Sequence, residues 1–229
     1  MKIKSLIFIG CLMACVNCPA VFAQEDYSRY EIFGGYSLLK VGEYDHMDIV
    51  QKETGFDKKS NLLDKGFSLS FTYNFNPVIG LETSLRRNTG YVLSSSVHSG
   101  NVDATIGFKR TDFAFLAGPR FTFRNEGRVT PFIHVLAGVS HDDIALGGDI
   151  SDGSNADSDY VSLESHSSFG FAVGGGLDIS INDSWAIRAF QAEYYMTNHP
   201  ILPLPGLDEG NKLFSNFNVA FGVVYRFGK

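Results

Sequence analysis

Apolar residues recur at every second position over most of this chain, a spacing that belongs to strands with two unlike faces rather than to helices. The clearest run is 213–227, where Leu213, Phe217, Val219, Phe221, Val223, Tyr225 and Phe227 alternate with Asn216, Asn218, Ala220, Gly222 and Arg226. The same alternation sets Phe67, Leu69, Phe71, Tyr73 and Phe75 against Ser68, Ser70, Thr72 and Asn74. It recurs from Phe113 to Phe123, from Ile79 to Arg86 and from Phe169 to Ser180. With 30–41, 129–146 and 185–196 the pattern predicts eight strands.

The connections fall into two alternating classes. Three are tight and rich in Asn, Asp, Gly and Pro (74–77, 124–128 and 182–184), as hairpins prefer, and four are long and polar (about 42–62, 88–110, 147–164 and 197–212). That alternation predicts an all-β, eight-stranded antiparallel up-and-down barrel with both chain ends on one side. The remaining choice is which face is inside. A soluble, lipocalin-like carrier would wet its polar face and carry lysine freely on it. Here Lys40, Lys52, Lys58, Lys59, Lys65, Lys109, Lys212 and Lys229 are assigned to loops or strand ends, and the polar face is small, with a few charges. Such a face suits the filled interior of a small barrel, which makes this a transmembrane β-barrel with lipid outside and short turns toward the periplasm. Tyr73, Phe75, Phe121, Phe123, Trp185, Tyr225 and Phe227 adjoin short turns or the C-terminus, as an aromatic girdle would. Gln191 and Glu193 have the parity of Trp185 rather than of Arg188, so plain alternation would put a charge in lipid. A β-bulge near 188–190 is predicted.

Both ends fit export. Lys2 and Lys4 precede an apolar stretch that is broken by Asn17, Cys18 and Pro19, and Ala20-Val21-Phe22-Ala23 leads into polar Gln24-Glu25-Asp26. This reads as a signal peptide over 1–23, cut between Ala23 and Gln24, with a barrel domain over 24–229. The apolar run is too short for an anchor. Cys11, Cys15 and Cys18 all lie in the leader, so the cut chain has no thiol for a disulfide or metal site; a rival lipoprotein reading would acylate Cys15 after Leu12-Met13-Ala14. Removing two lysines leaves 17 basic against 25 acidic residues, a net charge of −8, which excludes a basic footprint for nucleic acid.

The opening Tyr30-Glu31-Ile32-Phe33-Gly34-Gly35-Tyr36-Ser37, the segment Thr130-Pro131-Phe132-Ile133-His134, the run Gly174-Gly175-Gly176-Leu177-Asp178 and the closing Phe221-Gly222-Val223-Val224-Tyr225-Arg226-Phe227 resemble the outer-membrane protein β-barrel family, related to OmpA-type and opacity-type barrels. The resemblance covers essentially the whole mature chain. It implies residence in the bacterial outer membrane, contact with outer-membrane lipid and lipopolysaccharide, and reading of the last strand by the barrel-assembly machinery. The chain departs in adding Gly228 and Lys229 after Phe227, and it stops without a peptidoglycan-binding domain.

Candidate chemistry is sparse. Glu31, Glu82, Asp178 and Glu193 share inward parity with Arg86, Arg120 and Arg226, predicting a lumen plugged by paired charges; a narrow ion path is the alternative. The acidic run Asp149, Asp152, Asn155, Asp157 and Asp159 lacks calcium-loop spacing and reads as a solvated loop. Glu164, His166 and Ser168 are the one set that raises a lipid A-modifying enzyme, on spacing alone. His46, His98, His141 and His199 are scattered and His134 stands alone in a strand, so no metal site is expected. Gly174, Gly175 and Gly176 are followed by no helix and are read as room for crowding inside the barrel. The function expected is non-enzymatic and without cofactor: a barrel that anchors exposed loops for a surface partner the sequence does not name.

Overall fold

The computed structural model describes residues 27–41, 57–58, 63–99, 102–151, 156–200 and 211–228. The leader, with its cysteines and the Ala23–Gln24 junction, lies outside the described residues. The strands are β1 (Tyr30–Lys40), β2 (Asp57–Lys58), β3 (Leu63–Asn74), β4 (Ile79–Ser99), β5 (Val102–Thr122), β6 (Val129–Ser151), β7 (Ala156–Ser180), β8 (Trp185–Pro200) and β9 (Asn211–Phe227). All but β2 close a ring in chain order: each pairs antiparallel with its neighbour, and β1 pairs with β9 from Tyr30↔Phe227 to Lys40↔Phe217. Among the described residues no helix is long and apolar enough to cross a membrane.

One row of partners shows the stagger of this ring. It runs Phe33, Ser70, Ser84, Leu116, Gly138, Gly170, Thr197, Phe214, whereas the partner of Phe33 across the seam is Val224. The mismatch from 214 to 224 is ten residues, a shear that tilts every strand and lifts the row by roughly one residue per strand. Each short turn is held by one asparagine: Asn76 Oδ1 accepts from the backbone N–H groups of Val78 and Ile79, Asn125 Oδ1 from Gly127, and Asn182 Oδ1 from Ser184 and Trp185.

Burial alternates as the sequence does. Ile32, Tyr36, Phe67, Phe71, Leu81, Phe115, Ile133, Val173, Ile187 and Phe221 are exposed, while Glu31, Thr72, Glu82, Arg120, His134 and Asp178 are buried. The apolar face is therefore outside and the charged one inside, which overturns the soluble-carrier alternative. Outward aromatics follow one another round the turn end, from Trp185 to Tyr225 (4.8 Å between centroids), Phe227 (5.6 Å), Tyr30 (5.2 Å), Tyr73 (5.5 Å) and Phe75 (5.1 Å). Phe121 and Phe123 lie at the same end, beside the second short turn.

The bulge is where the charges demand it. On β8, Arg188 pairs with Gly222 and Gln191 with Ala220, so Ala189 and Phe190 together oppose Phe221. Both point outward, and Arg188, Gln191 and Glu193 all face the lumen.

Two of the long connections need correction. Residues 88–110 are mostly strand, paired up to Ser99↔Val102, and 147–164 likewise, up to Ser151↔Ala156. β5 and β6 also stay paired up to Asp103↔Ser151. Above the bilayer both faces of a ribbon are in water, so its ladder forms without the apolar alternation that marks the strands below. Within 42–62, Asp57 and Lys58 form β2 against Ser94 and Leu93; most of 197–212 lies outside the described residues. Lys65 and Lys109 stand within β3 and β5 rather than at their ends, yet both belong to the upper part of the wall.

Candidate functional site

The lumen is filled from the turn end upward by one continuous charge network. Arg120, from β5, lies 3.1 Å from Asp178 Oδ2, 3.4 Å from Glu31 Oε2 and 3.6 Å from Glu82 Oε2, joining β7, β1 and β4. Arg188 donates to Asp178 at 2.8 and 3.2 Å and to Gln191 Oε1 at 2.6 Å, with its guanidinium against the rings of Phe33 (4.3 Å) and Phe132 (4.4 Å). Arg124 donates to Glu31 at 2.7 Å, and Arg226 lies 3.6 Å from Asp178 and donates to Ser180 at 2.8 Å.

A step higher, His134 on β6 bridges β4 and β8. Its Nδ1 is 3.1 Å from Glu82 Oε2, and its Nε2 is 3.1 Å from Glu193 Oε1, close enough for an ion pair but not aligned for a hydrogen bond. Glu193 also accepts from Arg86 (2.6 Å), Asn218 (2.9 Å) and Gln191 (2.7 Å). All seven charges expected inside, Glu31, Glu82, Arg86, Arg120, Asp178, Glu193 and Arg226, belong to this network. His134, Arg188 and Arg124 complete it and were not recognised as members from the sequence.

Above it the lumen changes character. Leu39, Ala114, Leu116, Leu136, Ala172 and Tyr195 form a buried apolar cluster from β1, β5, β6, β7 and β8. Beside them Ser37, Asn88 and Asn218 are joined by hydrogen bonds of 2.8 to 3.2 Å. A second ionic layer follows, in which Arg110 donates to Asp142 at 2.7 Å and lies 3.7 Å from Asp112 and 4.0 Å from Asp64. Arg110 had been assigned to a loop, and its three carboxylates come from three different strands. Gly174 and Gly176 make room for the plug: a Cβ on Gly174 would stand 2.9 Å from Glu193 Cγ, and one on Gly176 2.9 Å from Phe132 Cζ.

Beyond this layer β4, β5, β6 and β7 rise together as a four-stranded wall on one side of the mouth. On its outer face Tyr91 donates to Asp149, Tyr91 and Tyr160 share a 2.5 Å hydrogen bond, and Lys109 Nζ stands 4.3 Å over the Tyr160 ring. Burial raises the Tyr91 and Tyr160 phenols above their ordinary values. The same burial disfavours an ionised Asp149, but the hydrogen bonds from the two tyrosines outweigh it and hold this carboxyl below its ordinary value. The inner face continues the lumen side as an apolar stripe, with Ile106 53%, Ile150 56% and Val161 65% exposed.

The chemistry once considered for Glu164, His166 and Ser168 has no support in the register. His166 and Ser168 pair with Asp142 and Ser140 and share their lumen side, not the outer face an enzyme acting on membrane lipid needs; the Glu164 side chain lies outside the described residues. On the outer face His141 Nδ1 is 2.9 Å from Ser167 Oγ, but among the described residues no carboxylate contacts His141. The described residues hold no cluster of three or more metal-ligating side chains.

A closed ring of eight tilted strands, apolar outside and plugged by charge inside, defines an integral barrel of the outer-membrane type. The chain belongs to the outer membrane protein beta-barrel domain family, whose profile matches residues 9–227, and the family places it in the bacterial outer membrane. Solved structures similar to it include Ail, the attachment invasion locus protein of Yersinia pestis (20% identity, 88% of this chain and 100% of that one, TM-score 0.46). OprG from Pseudomonas aeruginosa (14% identity, 89% and 97%, TM-score 0.47) and the E. coli outer membrane protein W (15% identity, 89% and 100%, TM-score 0.43) are two more. No curated protein matches the sequence.

Proposed function

We propose that this protein is a non-enzymatic, non-conducting anchor that holds a stiff extracellular β-wall for contact with a partner outside the cell. The observation that supports this reading is the division of the molecule. Below, two ionic layers and an apolar cluster fill the lumen; above, four strands remain paired from Tyr91↔Lys109 to Ser99↔Val102 and from Ile144↔Glu164 to Ser151↔Ala156. Fully buried side chains at each height, Arg120 and His134 below, Leu116, Leu136 and Tyr195 in the middle and Arg110 above, oppose ion passage, because an ion would lose its water where the polar groups are already engaged with one another. The exposed stripe of Ile106, Ile150 and Val161 supplies a contact surface of the kind that apolar patches on soluble faces mark. Export rests on cleavage between Ala23 and Gln24, and insertion on recognition of β9 by the barrel-assembly machinery.

The test is a planar bilayer. Purified barrel is expected to give no discrete conductance steps, and a variant in which Leu116 and Leu136 are both replaced by Ser should begin to conduct. Steps from the unaltered protein would overturn the anchor reading in favour of a narrow channel. A variant lacking the top of the wall, with 94–107 replaced by Asn-Gly, should keep its unheated gel mobility, since the wall adds nothing to the plug.

A further inference from the structure

The acidic and basic residues of β1, β3 and β4 are sorted between the two faces of the barrel wall. Among the residues of these strands the acids are Glu31, Asp64 and Glu82, and all three are buried on the lumen side. Of the cations, Arg86 is inside, whereas Lys40, Lys65 and Arg87 face outward, where no acid of the same strands faces with them. None of the three has an ion-pair partner among the described residues.

Their register makes them one feature. Lys40 pairs with Leu63, two residues from Lys65, and Lys65 pairs with Thr89, two residues from Arg87. Each is thus the diagonal cross-strand neighbour of the next, roughly 7–8 Å away in backbone terms. The row steps down two residues per strand in this direction while the shear lifts it by roughly one, so the three form a shallow arc around the barrel.

The arc sits at a definite depth. Ten residues of tilted strand separate Lys40 from Tyr30 in the turn-end aromatic belt, a height of about 25 Å, which is the apolar band of a transmembrane barrel. The cations therefore mark the extracellular edge of the hydrocarbon. Directly in register with Arg87 lie Phe67 and Phe113, and Tyr36, Leu38, Leu69 and Leu85 continue the apolar surface beneath. A cationic arc on an apolar floor, facing lipid, is complementary to an amphiphile with a phosphorylated head and acyl tails.

We infer that Lys40, Lys65 and Arg87 form a binding site for the phosphate groups of an outer-leaflet glycolipid of the lipid A type, with the acyl chains lying on Phe67, Leu69 and Leu85. This goes beyond the anchor reading and stands independently of it, resting only on the orientation of the barrel. The flexible lysines adapt to a phosphate as point charges and the Arg87 fork engages it with two hydrogen bonds. The effect expected is about fivefold in affinity per cation, roughly a hundredfold for all three.

The experiment uses the mature barrel in nanodiscs of phosphatidylcholine carrying either bisphosphorylated lipid A or lipid A stripped of its phosphates, followed by native mass spectrometry of retained lipid. The unaltered protein should retain the bisphosphorylated form and not the stripped one. K40Q/K65Q/R87Q should lose that retention, whereas R29Q/R128Q, at the turn end, should keep it. Equal retention by the triple variant, or equal retention of stripped lipid A, would overturn the site. Unheated gel mobility reports whether the triple variant is folded; if it is not, the three single substitutions carry the test, each expected to weaken retention about fivefold.

Discussion

Single residues decide whether the lumen is a plug or a liability. Arg120 faces Glu31, Glu82 and Asp178 at once, so Arg120→Leu leaves three buried carboxylates with less compensation. Breaking a buried pair from one side costs about 3–5 kcal/mol, and the urea midpoint for loss of the folded gel band should fall accordingly. Gly176→Leu should also destabilise, because its Cβ would run into the Phe190 carbonyl oxygen and stand 2.9 Å from Phe132 Cζ; retention of the parent midpoint would mean that the β7–β8 backbones can move apart there. Asp149 gives a pH prediction on the wall. Its folded pKa lies below the unfolded value of 3.8, so its stabilisation is complete above about that pH and is lost as pH falls through the lower folded value. Pepsin nicking of the wall should therefore rise as pH drops below about 3.8, and D149N should remove that dependence. At this scale the sequence was only half legible. Parity alone showed which charges face inward. It did not show that His134 is a bridge, because its partners Glu82 and Glu193 lie far along the chain in either direction; nothing local in a lone strand histidine signals that.

At the scale of elements, alternation revealed the strands where lipid imposes it and stopped revealing them where water wets both faces. The eight strands and three short turns were legible for the first reason, and the wall was missed for the second. One local signal did exist: the dipeptide Gly100-Asn101, in the middle of the segment expected as a loop, is of the kind that two-residue hairpin turns favour. The β8 bulge was legible from a conflict, since Arg188 and Glu193 could not both face inward without it. That origin makes a sharp prediction. Ala189 is the surplus residue, so deleting it alone should leave Arg188, Gln191 and Glu193 inside and give a folded, heat-modifiable barrel. Deleting Ala189 and Phe190 together would turn Gln191 and Glu193 toward lipid, and that variant should fail to reach the folded band. If both deletions fold equally, side-chain facing is not what the bulge protects.

The whole molecule joins a filled cylinder to an asymmetric screen. The cylinder needs every strand of the ring, because its networks tie β1, β3, β4, β5, β6, β7, β8 and β9 together across the lumen, β3 through Thr72 on Arg120 and Asp64 beside Arg110. The screen needs only four, and stands beside a mouth whose other side, at β1, β3, β8 and β9, is shorter in paired strand among the described residues. Stability is thereby confined to the cylinder, and under the proposed surface role changes in the wall should alter partner binding without altering heat-modifiability. The lipid-facing arc of Lys40, Lys65 and Arg87 lies on β1, β3 and β4, at the shoulder where the low rim meets the rising wall. Its existence depended on register and shear, which a sequence without pairings does not contain.

The seam between Tyr30–Lys40 and Asn211–Phe227 makes the earliest strand the partner of the latest. The hydrogen-bonding edge of β1 thus has no native mate until almost the whole polypeptide has been delivered, and a chain cut short anywhere before β9 presents two open edges in a medium that cannot hydrate them. Closure is in this way a test of completeness set by geometry itself: the ring has no finished margin until its final strand is in place, and until then the first strand stands as an unsealed hem.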